Sequence, residues 1–357
     1  MTVLQVCAYA APYEGNFIKS LKALAEKLSE KNIKTIYAFP ENARDIDWVK
    51  QLSAKNSVYF LPLAKARIKP ATYQLLKRIY KKYPDLMVIH SHFELYDAPV
   101  ALTAPTGVKV FWHLHDALEI YSSLRHRITH RVQYGLCHKN ATLLSVSDKH
   151  MKYVLRCGFP NERAKFLPNG IDTNRIKLVS TEYEHRKYDF TIFGWEFERK
   201  GVDLCIEALL RSELKCKVAV VGSEDTEIIV KDRFGTVSQI EVIKPVTDIN
   251  TLYADTKCFL HISRAEGLSY ALLEAVYAGI PVICSDISEN QFAVKFPTVT
   301  MVKQSSIDSI ASAMEKQMKI SKVEEDQIQT SRKIIEDEYS VMCWVRNIMD
   351  EYGVKND

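Results

Sequence analysis

Apolar residues fall into a repeating rhythm along this chain. Short runs suited to buried strands alternate with stretches whose apolar positions recur at three- and four-residue steps. Val3 to Ala10 is the first run, apolar enough for a buried strand. A loop over Tyr9 to Asn16 leads into Phe17 to Leu28. There Phe17, Leu21, Leu24 and Leu28 form one helical face, with Lys19, Lys22, Glu26 and Lys27 between them. Ile33 to Phe39 is the next strand. Strand, glycine-bearing loop, helix and strand make a βαβ unit, the opening of a doubly wound sheet. The runs Leu86 to His90, Val108 to His113 and Leu143 to Ser147 extend it, and Pro168-Asn169-Gly170 is a turn signal. Charge and tyrosine then replace the apolar runs until a second series begins. Its strands are Tyr188 to Phe193, Cys216 to Val221, Ile240 to Ile243 and Val299 to Val302, and its helices are Val202 to Leu210, Ile249 to Tyr253 and Ile307 to Met318. The pattern predicts an α/β chain of two Rossmann-like domains, 1–178 and 179–335, followed by a helix within 336–357 that contains Trp344.

Composition narrows the class. With 357 residues, 47% hydrophobic and 26% charged, the chain can bury two cores as a globular protein. No run of about 18 apolar residues exists to span a membrane. The opening segment turns polar after Ala11 and lacks a basic start, so it reads as a strand and not as a signal peptide. Eight cysteines without a CxxC pair, several inside apolar runs, fit reduced thiols and point to the cytoplasm. The net charge of +4 conceals an asymmetry: residues 1–178 hold 27 Lys and Arg against 14 Asp and Glu. A basic first half calls for an anionic partner: nucleic acid, a phospholipid surface or a phosphate-linked substrate. No nucleic-acid recognition motif accompanies the charge, so nucleic acid is not expected. Residues 65–82 and the stretch Arg125, His126, Arg127, His130, Arg131, His138 and Lys139, preceded by Ser122 and Ser123, carry much of it. They would serve an acceptor phosphate or the inner face of the plasma membrane.

The chemistry centres on His261 to Asp286, HISRAEGLSYALLEAVYAGIPVICSD. This reads as strand, turn, helix and strand, with Gly279 ending the helix and Pro281 preventing its return. Glu266 and Glu274 lie eight positions apart, a little over two helical turns, so both fall near one face. The amides of Gly267, Leu268 and Ser269 at the helix start suit a phosphate, and the carboxylates suit hydroxyls. On spacing alone, a dipole-complementing Glu266 and a solvated Glu274 would also explain the pattern.

The run Glu-Gly-Leu-Ser-Tyr-Ala-Leu-Leu-Glu-Ala, followed by Gly-Ile-Pro-Val, resembles the Glu-x7-Glu signature of the family 4 retaining nucleotide-sugar glycosyltransferases. The resemblance implies the GT-B fold, two Rossmann-like domains facing a cleft, with a C-terminal helix crossing back to the first domain. It implies a donor domain in which Glu274 bonds the ribose hydroxyls and Glu266 the sugar hydroxyls. Lys200-Gly201 matches the family's diphosphate loop, but Trp195 stands where an arginine usually follows the first glycine, leaving Arg199 as the second cation. Gly15-Asn16 occupies the place of a Gly-Gly pair near the donor diphosphate, or is a plain turn. His115 matches a histidine near the transferring sugar, or is one bonded within the wall of the cleft.

His90, His92 and His115 invite a zinc reading, yet no ligand spacing ties them together. No metal or other cofactor is expected, because cations and a helix N-terminus can carry the leaving-group charge. The expectation is a metal-independent, retaining hexosyltransferase. It would take a nucleoside-diphosphate sugar as donor and a glycan or polyprenyl-phosphate-linked acceptor. A catalytically weak relative that stabilises a partner transferase is the alternative, and Trp195 favours it.

Overall fold

The computed structural model describes residues 1–115, 124–182 and 185–355; Asp116, Ser122 and Ser123 lie outside the described residues. The chain forms two compact units, one of Met1–Gly170 with Val341–Asp357 and one of Ile171–Ser340. The sequence ends its domains at 178 and 335; the compact units divide after 170 and 340. Ile171 N donates to Tyr339 O at 2.7 Å, and Ile171 bridges Ser340, so the segments entering and leaving the second unit meet side by side.

The first unit holds a parallel sheet of seven strands: β1 Thr2–Cys7, β2 Lys34–Pro40, β3 Val58–Leu61, β4 Leu86–His92, β5 Lys109–Leu114, β6 Thr142–Ser145 and β7 Ala164–Phe166. Their order is β3-β2-β1-β4-β5-β6-β7. All six positions of β1 are buried, as expected of a parallel strand covered on both faces. One face presents Leu4, Ile36, Ile89, Trp112 and Leu143 to a core completed by Leu76 and Val100. The other presents Val3, Tyr37, Val88, Phe111 and Leu144 to the helix Gly15–Glu30 and to the closing helix Val341–Tyr352, through Leu21, Leu24, Trp344 and Ile348. The closing helix therefore completes the first unit's core.

The second unit holds β8 Tyr188–Phe193, β9 Val218–Val221, β10 Ile240–Ile243, β11 Thr256–His261, β12 Val282–Asp286 and β13 Val299–Lys303, in the order β10-β9-β8-β11-β12-β13. Its core gathers Phe190, Ile192, Val220, Leu260 and Ile283 with Val202, Ile206 and Ile310. All eight cysteines are unpaired, and among the described residues no helix is long and apolar enough to cross a membrane.

Each sheet reverses its strand order at one pair of neighbours, β1 and β4 in the first unit and β8 and β11 in the second. The loops leaving the carboxyl ends of such a pair diverge and open a crevice, the usual place for a ligand in an open α/β sheet. The sequence candidates at Gly15, Lys200 and Glu266 follow β1, β8 and β11, and His115 follows β5.

Candidate functional site

In the second unit the site is built from two loops. One runs from Gly194 to Gly201 after β8; the other runs from Ile262 to Ser269 after β11 and opens the helix Tyr270–Tyr277. Ser269 caps that helix, its hydroxyl accepting from Leu272 N at 3.3 Å. The loops lie against each other because Gly201 has no side chain. Its φ is +72°, and a Cβ there would stand 2.1 Å from Ile262 O, a distance no packing adjustment could absorb. Arg264 fastens the pair: its amide donates to Arg199 O at 2.8 Å, and its guanidinium grips Asp203 with bonds of 2.8 and 2.7 Å.

This packing gives Glu266 its surroundings. Its carboxylate is buried, accepting from Lys200 Nζ at 2.7 Å on one oxygen and from Arg199 at 3.2 Å on the other. Arg199 also donates to Ala265 O at 2.9 Å and pairs with Glu196. Burial pushes the Glu266 carboxyl up; neighbouring positive charge overcomes this and holds it at about 2. His261, with Nε2 3.8 Å away, is one such neighbour, but burial drives its own pKa down to about 4. At pH 7 it is neutral, so Lys200 and Arg199 are the charges that matter there.

Glu274 is likewise buried and paired, with Arg175. Arg175 lies in the turn Thr173–Arg175, anchored where Asn250 Nδ2 donates to its carbonyl at 2.9 Å. The solvated reading of Glu274 gives way, since both glutamates are buried and each is paired with basic side chains. Gly267 is partly exposed while Leu268 and Ser269 are buried, so these three offer backbone more than side chain. Trp195 is 45% exposed and stacks on Phe193, centroids 4.5 Å apart and planes 24° apart. Its ring supplies no cation.

In the first unit Gly15 opens the helix Gly15–Glu30 with φ +59°, a backbone state that glycine adopts without strain, and Asn16 is buried behind it. His115 follows β5 and is turned inward. Nδ1 lies 2.7 Å from Asn169 Oδ1 and Nε2 lies 2.9 Å from His92 Nδ1. Burial lowers its pKa to about 4, so the ring is neutral at pH 7. His90, His92 and His113 bring ring nitrogens within 4.8 Å of one another. The rings of His90 and His92 lie face to face at 4.0 Å, and those of His90 and His113 are parallel to within 2°. Both ring nitrogens of His92 are already engaged, by His115 and by Gln5, so a metal on these three residues would have to displace one of those bonds.

The sequence did not single out Arg175, Asp203, Arg264 or His261. Arg175 meets Glu274 across 99 positions, a pairing no local period reveals. Arg264 was visible only as a turn residue beside Glu266.

The depressed pKa of Glu266 has a stability consequence. Unfolded, the carboxyl titrates near 4.5; folded, near 2. Its contribution is fully present above the higher value and is lost as pH falls through the lower, roughly 3 kcal/mol at most. Glu266→Gln should therefore lose less stability than the wild type between about pH 5 and 2, as read by denaturant unfolding across that range. Parallel pH curves for the two proteins would show that the pairing does not hold the charge.

Both units match known sequence families. Residues 180–334 match the family described as glycosyl transferases group 1, and residues 19–175 match glycosyltransferase family 4. An uncharacterized glycosyltransferase of Methanocaldococcus jannaschii is 22% identical over 247 residues, 62% of this chain, and the match spans 60% of that relative's length. HepE of Anabaena, in a crystal structure with UDP, is similar over 99% of this chain and 100% of its own, with a TM-score of 0.79 and 16% identity. WaaG, a glycosyltransferase involved in lipopolysaccharide biosynthesis, is similar over 98% of this chain and 99% of its own, with a TM-score of 0.70 and 17% identity. Two parallel sheets flanked by helices, with one family matched on each, place the chain among the glycosyltransferases of the GT-B fold.

Proposed function

We propose that this protein transfers a sugar from a nucleoside-diphosphate sugar to a glycan or lipid-linked acceptor, with retention at the anomeric carbon. The acceptor would belong to a surface polysaccharide, cell wall or glycolipid. The observation that carries this is the buried Glu266 carboxylate held by Lys200 and Arg199 at the strand-order reversal of the second unit. Glu266 accepts bonds from sugar hydroxyls. Glu274, oriented by Arg175, accepts them from the ribose. Lys200, Arg199 and the amides of Gly267, Leu268 and Ser269 meet the diphosphate and stabilise the charge that develops as it leaves. Gly15, Asn16 and His115 serve the donor from the first unit. No separate general base is assigned: the departing phosphate oxygen takes the acceptor's proton. HepE has also been crystallised with UDP-glucose, which supports a donor of this class.

The first unit also carries a surface suited to an anionic membrane. Ile128, Val132 and Leu136 are 54%, 45% and 76% exposed at four-residue steps along the helical run 124–136, with Arg127 and Arg131 exposed beside them. An apolar stripe flanked by arginines matches a headgroup boundary, and would hold the protein at the inner face of the plasma membrane. Trp195 favours a second reading, a transferase-like subunit that binds a donor weakly and stabilises a partner enzyme.

Thermal stability against a panel of nucleotide-sugars tests the donor site. A ligand at a hundred times its dissociation constant adds about 2.7 kcal/mol. One donor should stabilise the wild type and not Glu274→Ala, and the wild type should slowly hydrolyse it. Stabilisation without hydrolysis would favour the subunit reading, and no stabilisation by any donor would sink both. Sedimentation with vesicles tests the surface. Binding should require anionic lipid and fall in an Ile128→Ser, Leu136→Ser double variant; equal binding to zwitterionic vesicles would contradict it.

A further inference from the structure

The first unit buries a continuous line of polar side chains that the donor chemistry does not by itself require. Gln5, the one long polar residue of β1, is fully buried, as are His90 and His92; Tyr352 of the closing helix and Asn169 are nearly so. Asn169 Oδ1 meets His115 Nδ1 at 2.7 Å, and His115 Nε2 meets His92 Nδ1 at 2.9 Å. His92 Nε2 meets Gln5 Oε1 at 2.8 Å, Gln5 Nε2 meets the Tyr352 hydroxyl at 3.1 Å, and that hydroxyl meets His90 Nδ1 at 2.7 Å. Three of these five contacts join His115 to Tyr352 of the closing helix, and the other two extend the line to Asn169 and to His90.

Proton counting constrains this line. With both amides presenting oxygen to the histidines, His115 and His92 would need three ring protons between them: one toward Asn169, one toward Gln5 and one in the bond they share. Two neutral imidazoles carry two. Full burial opposes a charged ring here, so one amide must turn over and present nitrogen instead. If Asn169 turns, the donors run from Asn169 toward His90, and His115, His92 and His90 each carry the proton on Nε2. If Gln5 turns, they run from His90 toward Asn169, and all three carry it on Nδ1. Both solutions satisfy every contact, and both give the three histidines the same tautomer.

We propose that Gln5, His92 and Tyr352 are positioning residues for His115, locking its ring inward through a one-directional hydrogen-bond chain anchored on the closing helix. Both ring nitrogens of His115 are committed in either direction of the chain. His115 therefore meets a bound sugar with its ring face or its backbone, and neither takes nor supplies a proton. This rests on the reading that His115 belongs to the donor site, while the chain itself does not.

The test is the ring-nitrogen NMR spectrum of protein labelled with 15N-histidine, without ligand. His90, His92 and His115 should show one shared tautomer. In Tyr352→Phe and in Gln5→Met, His90 should cease to follow the other two, with the fold retained by thermal unfolding. Gln5→Met serves if Tyr352→Phe fails to fold. Mixed tautomers in the wild type, a doubly protonated His92 or His115 at neutral pH, or three rings still matched in both variants would overturn the proposal. In turnover of the donor found by the thermal panel, Tyr352→Phe should lower kcat several-fold and leave the donor KM unchanged; an equal loss in donor binding would also overturn it. If the wild type turns over no nucleotide-sugar, the proposed function fails, and the tautomer spectra still decide the chain.

Discussion

Burying a carboxylate is unfavourable unless its charge is matched, and much of the second unit's geometry serves to match Glu266. Lys200 and Arg199 can reach it only because the loop after β8 lies on the turn after β11. That contact needs the bare backbone of Gly201 against Ile262, and it is fastened by the grip of Arg264 on Asp203. They are also the two cations proposed here to meet the donor's diphosphate. Their charge is thus matched from within the unit, and on the proposed reading a donor would exchange one anionic partner for another. Arg175 and Glu274 repeat the scheme at the start of the adjoining helix.

The first unit solves a different problem. Its sheet is covered on both faces, so polar groups that enter it must satisfy one another. Asn169, His115, His92, Gln5, Tyr352 and His90 do this for one another in a single line beside β1, β4 and β5, while both ring nitrogens of His113 stay outside it. The helix Val341–Tyr352 thereby has two attachments to its sheet. Trp344 and Ile348 bury apolar surface, and Tyr352 enters the polar line. The strand-order reversal between β1 and β4 lies next to this line, so these residues border the edge at which open α/β sheets usually take a ligand.

Periodicity revealed what periodicity can reveal. The helix Gly15–Glu30 and the strands β1, β4, β8 and β11 stand where apolar spacing put them, because each buries a face wide enough to print its period on the sequence. The helix Glu224–Phe234 left no such print. Of its eleven residues only Thr226 and Val230 are buried, and it starts from a capping box between Ser223 and Thr226. The short strands β3 and β7 were missed for a similar reason, having four and three residues at the edges of their sheet. At the site, the motif residues were legible and their partners were not. Glu266, Glu274 and Lys200 announce themselves by spacing, whereas the pairings of Glu274 with Arg175 and of His115 with Asn169 and His92 arise only when distant loops come together.

The central proposal is that Lys200 and Arg199 are diphosphate-binding groups whose charge Glu266 matches until a donor arrives. Calorimetric titration of wild type and Glu266→Gln with the free nucleoside diphosphates UDP, GDP and ADP tests it most directly. Removing the carboxylate charge should leave the cations to the ligand, so one diphosphate should bind the variant more tightly than the wild type, with a steeper dependence on salt. Unchanged or weaker binding in a folded variant would mean that these cations serve Glu266 alone, and that the phosphates are held elsewhere.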